Sequence, residues 1–157
     1  MTLTALDVES LSLVVAQEIH VDAPLNVTFA ALLEQLGPGN ETPDGASMAF
    51  KIEAWPGGRW FRDLGDGNGH FWANVQAIKR PTLLEFAGPL FMSHPVANNV
   101  QYRLHPDGNG TLIKFRHSGF GLVQEEHKRG VSTGWSHIHS KVRERAEKSR
   151  ESGSQRI

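Results

Sequence analysis

Apolar and polar residues alternate along most of the chain, first in LSLVVAQEIHV at residues 11–21. Val15, Gln17, Ile19 and Val21 fall on one face of this segment, and such a period of two indicates a strand with one buried face. The same alternation recurs between residues 48 and 117, interrupted by turn sequences such as PGG, GDGNG and PDGNG. Because short turns reverse the direction of neighbouring strands, the pattern predicts an antiparallel sheet of about six or seven strands.

Two segments have the periodicity of a helix instead. The first follows the sequence DAP at residues 22–24, which is typical of a helix start. Its apolar residues share one face and are Phe29, Leu32, Leu33 and Leu36. The second segment covers residues 123 to about 149. Its apolar stripe consists of Val131, Trp135, Ile138 and Val142.

Two glycines lie in the second helical segment, although each glycine inside a helix costs roughly 0.5–1 kcal/mol relative to alanine. Gly134 lies beside the stripe and directly before Trp135. We therefore predict that Gly134 permits a close approach of the helix to the sheet, assisted by Gly130. The alternative is that Gly130 marks a break between two shorter helices.

The order of these elements predicts the fold class. One sheet must bury one face, and one long helix carries an apolar stripe that can cover it. We expect an α+β fold in which a curved antiparallel sheet of about six or seven strands wraps on a long C-terminal helix, with a short helical segment after strand 1. The predicted boundaries are a loose N-terminal arm at 1–11, a single domain at 12–149 and a polar C-terminal tail at 150–157.

The loop GPGNETPDG at residues 37–45 is rich in glycine and proline and has no large apolar residue. It is predicted to be the most mobile internal segment. Whether it acts as a lid over a binding site is left open.

Composition narrows the range of functions. The chain has 16 basic and 17 acidic residues, so it has no overall field that would attract nucleic acid. The absence of cysteine excludes disulfides, thiolate metal sites and a cysteine nucleophile. The N-terminus lacks the pattern of a secretory signal, and no apolar run approaches the ~20 residues of a membrane helix. We therefore expect a cytoplasmic protein without membrane insertion.

Motifs of familiar catalytic chemistry, such as HExxH, a phosphate-binding loop or a nucleophile elbow, do not occur in the sequence. The histidines have no metal-binding spacing, so we expect neither a metal nor a cofactor. Polar groups do lie among aromatic residues on the inward faces of the predicted sheet and helix. These candidates for lining a ligand cavity are Phe50, Tyr102, Phe115, His117, Trp135 and His139. The alternative is that the same residues are ordinary core residues.

Five local motifs follow one another along the chain: EIHVDAPLNVTFAAL, WPGGRWF, the segment from Asn74 through LLEF, GNGTLIKFRHSGF and GVSTGWSHIHSKV. Their order resembles the START-like helix-grip superfamily. Within that superfamily the chain is similar to the activator of heat-shock protein 90 (Hsp 90) ATPase homologue-like family, over about residues 13–147. Three positions depart from the family pattern. The tryptophan of the family pattern is here either replaced by Phe86 or absent. Ala73 replaces a glycine, and His139 replaces a frequent leucine.

The resemblance implies a fold more strongly than a function, because this fold serves many roles. We expect the chain to bind an apolar or aromatic small molecule in a cavity between the sheet and the C-terminal helix. One alternative is an enzyme that resembles polyketide cyclases, in which His117, Tyr102 and His139 assist proton transfer. Another is a chaperone-associated interaction module of the stress response, with a chaperone or a second copy of the chain as partner.

Overall fold

The computed structural model describes residues 7–154 of the chain, and the side chains of residues 7–152. A 3-10 helix at Val8–Leu11 precedes strand β1 at Ser12–Val21 and helix α1 at Leu25–Leu36. Six more strands follow: β2 at Phe50–Ile52, β3 at Arg59–Gly65, β4 at Asn68–Lys79, β5 at Leu83–Gly88, β6 at Val96–Asp107 and β7 at Gly110–Gly121. Helix α2 then spans Glu125–Ser154.

The strands form one sheet in the order β1-β7-β6-β5-β4-β3-β2, and every neighbouring pair is antiparallel. β1 pairs with β7 rather than with β2, because α1 and the following loop carry the chain to the opposite edge of the sheet. The predicted α+β helix-grip class is therefore confirmed. The predicted turn after β6 is present, with Asp107 paired to Gly110 across it.

The inner face of the sheet and the inner faces of both helices form one core. On β1, the alternation of the sequence is reproduced: Val15, Ile19 and Val21 are buried and Gln17 is half-buried. α1 contributes Phe29, Leu32 and Leu36 to the core, as its periodicity predicts. α2 packs on α1 and β1 and buries Val131, Trp135, Val142 and Ala146.

The two predictions made for Gly130 and Gly134 of α2 are both wrong. Gly134 does not mark a close approach to the sheet, because Gly130 and Gly134 are exposed and a Cβ at either position would meet no atom within 4 Å. The alternative break at Gly130 is also wrong, since α2 continues through it. The large Trp135 side chain lies between the helix and the sheet, and the glycines face solvent.

The ends of the chain are described only in part. Residues 1–6 of the predicted arm and residues 155–157 of the predicted tail lie outside the described residues. The remainder of the arm forms the 3-10 helix, and α2 continues through residues 150–154. The boundaries of the arm and the tail stay predictions. Among the described residues, neither helix is long and apolar enough to cross a membrane.

Candidate functional site

Five of the six predicted site residues meet beneath α2, in a group that we call the imidazole cluster: Tyr102, Phe115, His117, Trp135 and His139. All five are buried. Their rings pack against one another, with centroid distances of 5.0 Å between Tyr102 and Phe115, 4.8 Å between Phe115 and Trp135, and 4.4 Å between Phe115 and His139. The side chains therefore fill the space between α2 and strands β6 and β7 in this conformation.

His139 connects α2 to the sheet through both of its ring nitrogens. Its Nδ1 lies 2.8 Å from Oε1 of Gln17, and its Nε2 lies 2.9 Å from the Tyr102 hydroxyl. Gln17 donates from Nε2 to the Ser132 carbonyl and to Ser136 Oγ, which fixes its Oε1 as the acceptor facing His139. His139 is thus the tautomer that donates from Nδ1 and accepts the Tyr102 hydroxyl proton at Nε2.

His117 also connects α2 to the sheet, but here the residue on α2 is the donor and the imidazole is the acceptor. Trp135 donates from Nε1 to His117 Nδ1 at 3.0 Å, so the proton of His117 is on Nε2. Nε2 in turn donates to Asn98 Oδ1 at 2.7 Å, and Asn98 donates to the Pro89 carbonyl at 3.2 Å. A continuous chain of hydrogen bonds therefore runs from α2 through β7 and β6 to the β5–β6 connection.

Burial holds the cluster in its uncharged form. Desolvation lowers the pKa of His117 to about 4 and the pKa of His139 to about 3. It also raises the pKa of Tyr102 well above its ordinary value. Because every polar atom of these side chains already has a protein partner, none of them offers a free acid or base in this conformation.

The sixth predicted residue, Phe50, belongs to a second group of rings, which pack against one another in this conformation. We call this group the aromatic cleft, and its members are Phe50, Trp60, Trp72, Phe86, Phe91, His94 and His127. Phe50 lies edge-on to Trp72 at 4.7 Å, and Trp72 lies 5.8 Å from Phe91. Phe91 is in turn edge-on to His127 of α2 at 5.7 Å. The cleft therefore runs from the β2 edge of the sheet to the first turns of α2.

At the α2 end of the cleft, two imidazole rings carry buried nitrogens without a hydrogen-bond partner among the described residues. These atoms are Nε2 of His94 and Nδ1 of His127. The two rings stack at 5.0 Å with an interplanar angle of 18°. A buried polar atom without a partner costs about 1–3 kcal/mol, so a pair of them in one place calls for a functional explanation.

The stacked geometry does not suit a metal ion. The lone pair of an imidazole nitrogen lies in its ring plane, and two nearly parallel planes at this separation do not meet at one ion. Among the described residues, no group of three or more histidine, aspartate or glutamate side chains is placed to hold one. The pair is better suited to hydrogen-bond an organic molecule.

The segment that carries Phe91 and His94 joins β5 to β6 and is irregular. Within it, Leu90 is buried and has φ +55°, a conformation that a leucine adopts rarely and at a cost of roughly 1–3 kcal/mol. Asn98 anchors the segment through Pro89. Backbone strain of this kind is typical of binding sites. Here it lies beside the two buried imidazole nitrogens that have no hydrogen-bond partner among the described residues.

Of the aromatic cleft, sequence reasoning predicted only Phe50. It also missed Gln17 and Asn98, the two polar residues that hydrogen-bond to the imidazole cluster. Gln17 and Asn98 each interrupt a row of inward apolar residues, and that interruption is a signal that could have identified them. His127 lies at the edge of the α2 stripe. His94 lies between strands, where no periodicity marks an inward residue.

Known proteins are similar to this chain over most of its length. The family model of the activator of Hsp90 ATPase homolog 1-like protein matches residues 22–147. No curated protein matches the chain. Protein MLL2253 from Mesorhizobium loti is similar in structure, with a TM-score of 0.64, 19% identity, and coverage of 86% of this chain and 97% of that one.

Two further structures share the fold at lower identity. The di-domain ARO/CYC StfQ from the steffimycin biosynthetic pathway has a TM-score of 0.65 at 12% identity, over 90% of this chain and 53% of that one. The Aha1 dimer from Colwellia psychrerythraea has a TM-score of 0.61 at 14% identity, over 83% of this chain and 93% of that one. Likeness at these identities shows the fold alone.

Proposed function

The chain belongs to the activator of Hsp90 ATPase homolog 1-like family, and from that premise we propose that it binds a small apolar or aromatic molecule between its sheet and α2. The aromatic cleft is where the ligand binds, with its apolar part against Phe91 and Trp72. A hydrogen-bonding group of the ligand reaches His94 and His127. The imidazole cluster lies in the other half of the interior and holds α2 to the sheet through hydrogen bonds.

One observation carries this proposal. Within residues 7–152, the buried Nε2 of His94 and Nδ1 of His127 have no hydrogen-bond partner, whereas the buried polar atoms of the imidazole cluster all have one. A protein that fills its own interior satisfies such atoms or replaces them with carbon. A ligand that carries one donor or acceptor satisfies them when it binds. Ligand pockets have this composition of apolar walls and a few placed polar groups.

The side chains of the cleft touch one another in the conformation described, so a ligand must displace some of them. Phe91 and His94 lie on the irregular β5–β6 connection, and neither belongs to a strand. A shift of this connection opens the cleft and leaves the strand pairs intact, but it breaks the backbone hydrogen bond from Leu90 to the Trp72 carbonyl. The strained Leu90 lies in the same segment and lowers the cost of the shift, since movement relieves its backbone.

The cyclase-like enzyme is a weaker candidate. Its proposed acid–base groups, His117, Tyr102 and His139, are uncharged and bonded to protein partners. Proton transfer to a substrate would first require these hydrogen bonds to break. The solved structure of StfQ has the same fold, which is compatible with either function.

A protein partner stays a prediction, either as a second copy of the chain or as a chaperone. Val14 and Phe120 lie on the outer face of β1 and β7 and are more than half exposed, with Leu122 close by along the chain. Exposed apolar side chains of this kind are often covered by another protein. The solved Aha1 structure with this fold is described as a dimer.

Ligand binding is tested with N-phenyl-1-naphthylamine, an apolar aromatic probe with a single N–H group whose fluorescence rises in apolar surroundings. We expect saturable binding to the native protein with a Kd of roughly micromolar order. The substitution His127→Phe removes the hydrogen-bonding nitrogen and keeps the ring. It should weaken binding by about tenfold, because a lost hydrogen bond is worth about 1–1.5 kcal/mol.

The matched control is His137→Phe, the same change at an exposed position of α2. It should leave the Kd unchanged. Absence of saturable binding to the native protein would overturn the proposed function, and equal weakening by the two variants would remove His127 from the site.

A further inference from the structure

A groove of about 410 Å³ lies on the outer side of α2, between this helix and the loop after α1, and is separate from the aromatic cleft. Its volume is within the range of small-molecule sites. The α2 wall carries His137, Lys141, Glu144, Arg145 and Lys148. The loop wall carries Gly39, Glu41, Thr42, Pro43 and Gly45, and Gln35 of α1 forms the floor. The groove is thus a charged site beside the loop GPGNETPDG.

Arg145 is the best-positioned cation in this groove. Its guanidinium donates from Nε and from Nη2 to Oε1 of Gln35, each at 3.3 Å. Gln35 is itself buried, so it holds the guanidinium in one orientation. Among the described residues, Arg145 forms no ion pair with a carboxylate. An oriented arginine whose remaining N–H groups have no anionic partner is suited to bind one.

Gly39 makes room for this arrangement. A Cβ at position 39 would lie 2.6 Å from Nη2 of Arg145 and 3.0 Å from its guanidinium carbon. The same Cβ would lie 2.8 Å from the Glu34 carbonyl oxygen, so a side chain at position 39 would meet both the helix backbone and the guanidinium. The loop backbone thus approaches the guanidinium closely at Gly39, while Gln35 accepts its hydrogen bonds.

The remaining charges of the groove leave it positive. Lys141 and Lys148 share the single carboxylate of Glu144, at 3.4 and 3.3 Å. Glu41 on the loop is the other carboxylate that lines the groove. Lys141, Arg145 and Lys148 thus face two acidic side chains. The excess positive charge lies on the side of Arg145, which pairs with no carboxylate of the described part of the chain.

We propose that this groove binds a small oxyanion, the phosphate or carboxylate group of a small molecule, with Arg145 as its principal contact and Lys141 and Lys148 beside it. Phosphate and carboxylate groups each present two oxygens that can accept parallel hydrogen bonds from one guanidinium. This site is independent of the aromatic cleft and does not rest on the proposed function.

The test is a titration of the amide NMR signals of the full chain with sodium phosphate and, separately, with sodium citrate, at constant ionic strength in chloride. The two titrations distinguish a phosphate site from a carboxylate site. We expect at least one anion to shift the signals of residues 39–45 and 141–148 saturably, with a Kd of about millimolar order. Arg145→Gln should weaken that binding by about tenfold.

Arg143→Gln is the matched control, because it removes the same charge from an exposed residue that donates to the His20 carbonyl away from the groove. Its Kd should equal that of the native protein. If Arg145→Gln does not fold, Lys148→Gln replaces it, since this exposed lysine should weaken binding by roughly twofold to threefold. The proposal is overturned if neither anion gives saturable shifts, or if Arg143→Gln weakens binding as much as Arg145→Gln. Where Lys148→Gln is used in place of Arg145→Gln, binding equal to that of the native protein overturns it as well.

Discussion

At the scale of single residues, the interior contains two kinds of histidine. His117 and His139 each use both ring nitrogens in hydrogen bonds to other elements. His94 and His127 each have a buried nitrogen without a hydrogen-bond partner in the part of the chain that the structure describes. The first kind stabilises the closed interior, whereas the second kind costs stability in the absence of a ligand.

This difference predicts that His127→Phe raises the free energy of unfolding by about 1 kcal/mol, because a carbon atom replaces a buried nitrogen without a partner and the ring contacts are kept. Urea unfolding of the ligand-free protein measures the change. A loss of stability would mean that the nitrogen has a partner in solution, and the argument for the aromatic cleft would lose its main support.

At the scale of the elements, α2 is held to the rest of the molecule by side chains rather than by close backbone contact. Trp135 and His139 fill the gap to the sheet, and both bond to sheet residues. The stripe on α2 fixes which side of the helix faces inward. Gly130 and Gly134 lie outside this stripe and make no contact that would compensate for their flexibility.

We therefore expect Gly134→Ala to raise the free energy of unfolding by about 0.5–1 kcal/mol, the helix propensity difference at an exposed position. Thermal or urea unfolding of the two proteins checks this value. Gly119→Ala on β7 is a control with the same chemical change, and it should destabilise the protein, because its Cβ would lie 2.8 Å from Asn98 Oδ1. If Gly134→Ala is destabilising, the helix needs glycine there for a reason that its surroundings do not show.

At the scale of the whole molecule, the sheet and α2 are joined by two uncharged imidazole bridges, and the stability of the fold therefore depends on pH. Unfolded histidine has a pKa near 6.5, whereas burial lowers the folded values to about 4 for His117 and about 3 for His139. Below pH 6.5 the two histidines are protonated in the unfolded chain and stay neutral in the folded chain. Stability is therefore lost as the pH falls from about 6.5 toward 4 and 3.

We expect the free energy of unfolding to fall by roughly 4 kcal/mol between pH 7 and pH 5, shared by the two histidines. Urea unfolding at several pH values measures this slope. His117→Gln should remove about half of it, whatever its effect on stability at pH 7. His105→Gln, a change at an exposed histidine, should leave the slope as it is. A flat profile over this range would show that the two imidazoles are accessible to protons in the folded state.

The sequence by itself determined the elements and their inner faces. The alternation of Val15, Gln17 and Ile19 and the stripe through Val131, Trp135 and Val142 both appear in the core, because the periods of a strand and a helix are properties of the local backbone. The same periodicity predicted Tyr102, Phe115, His117 and Trp135 of the imidazole cluster as inward-facing, and it placed His139 on the shoulder of the α2 stripe.

Only the tertiary structure decided which of those inward residues meet. Phe50 faces the interior but joins the aromatic cleft, because β2 lies at the opposite edge of the sheet from β1. Gly134 lies about 100° from Trp135 around the helix, and whether that side meets the sheet or water depends on how α2 rotates against α1 and β1. His94 and His127 come together from a loop and a helix that no periodicity relates. Contacts of this kind depend on strand order and helix rotation, which long-range packing sets and local patterns do not encode.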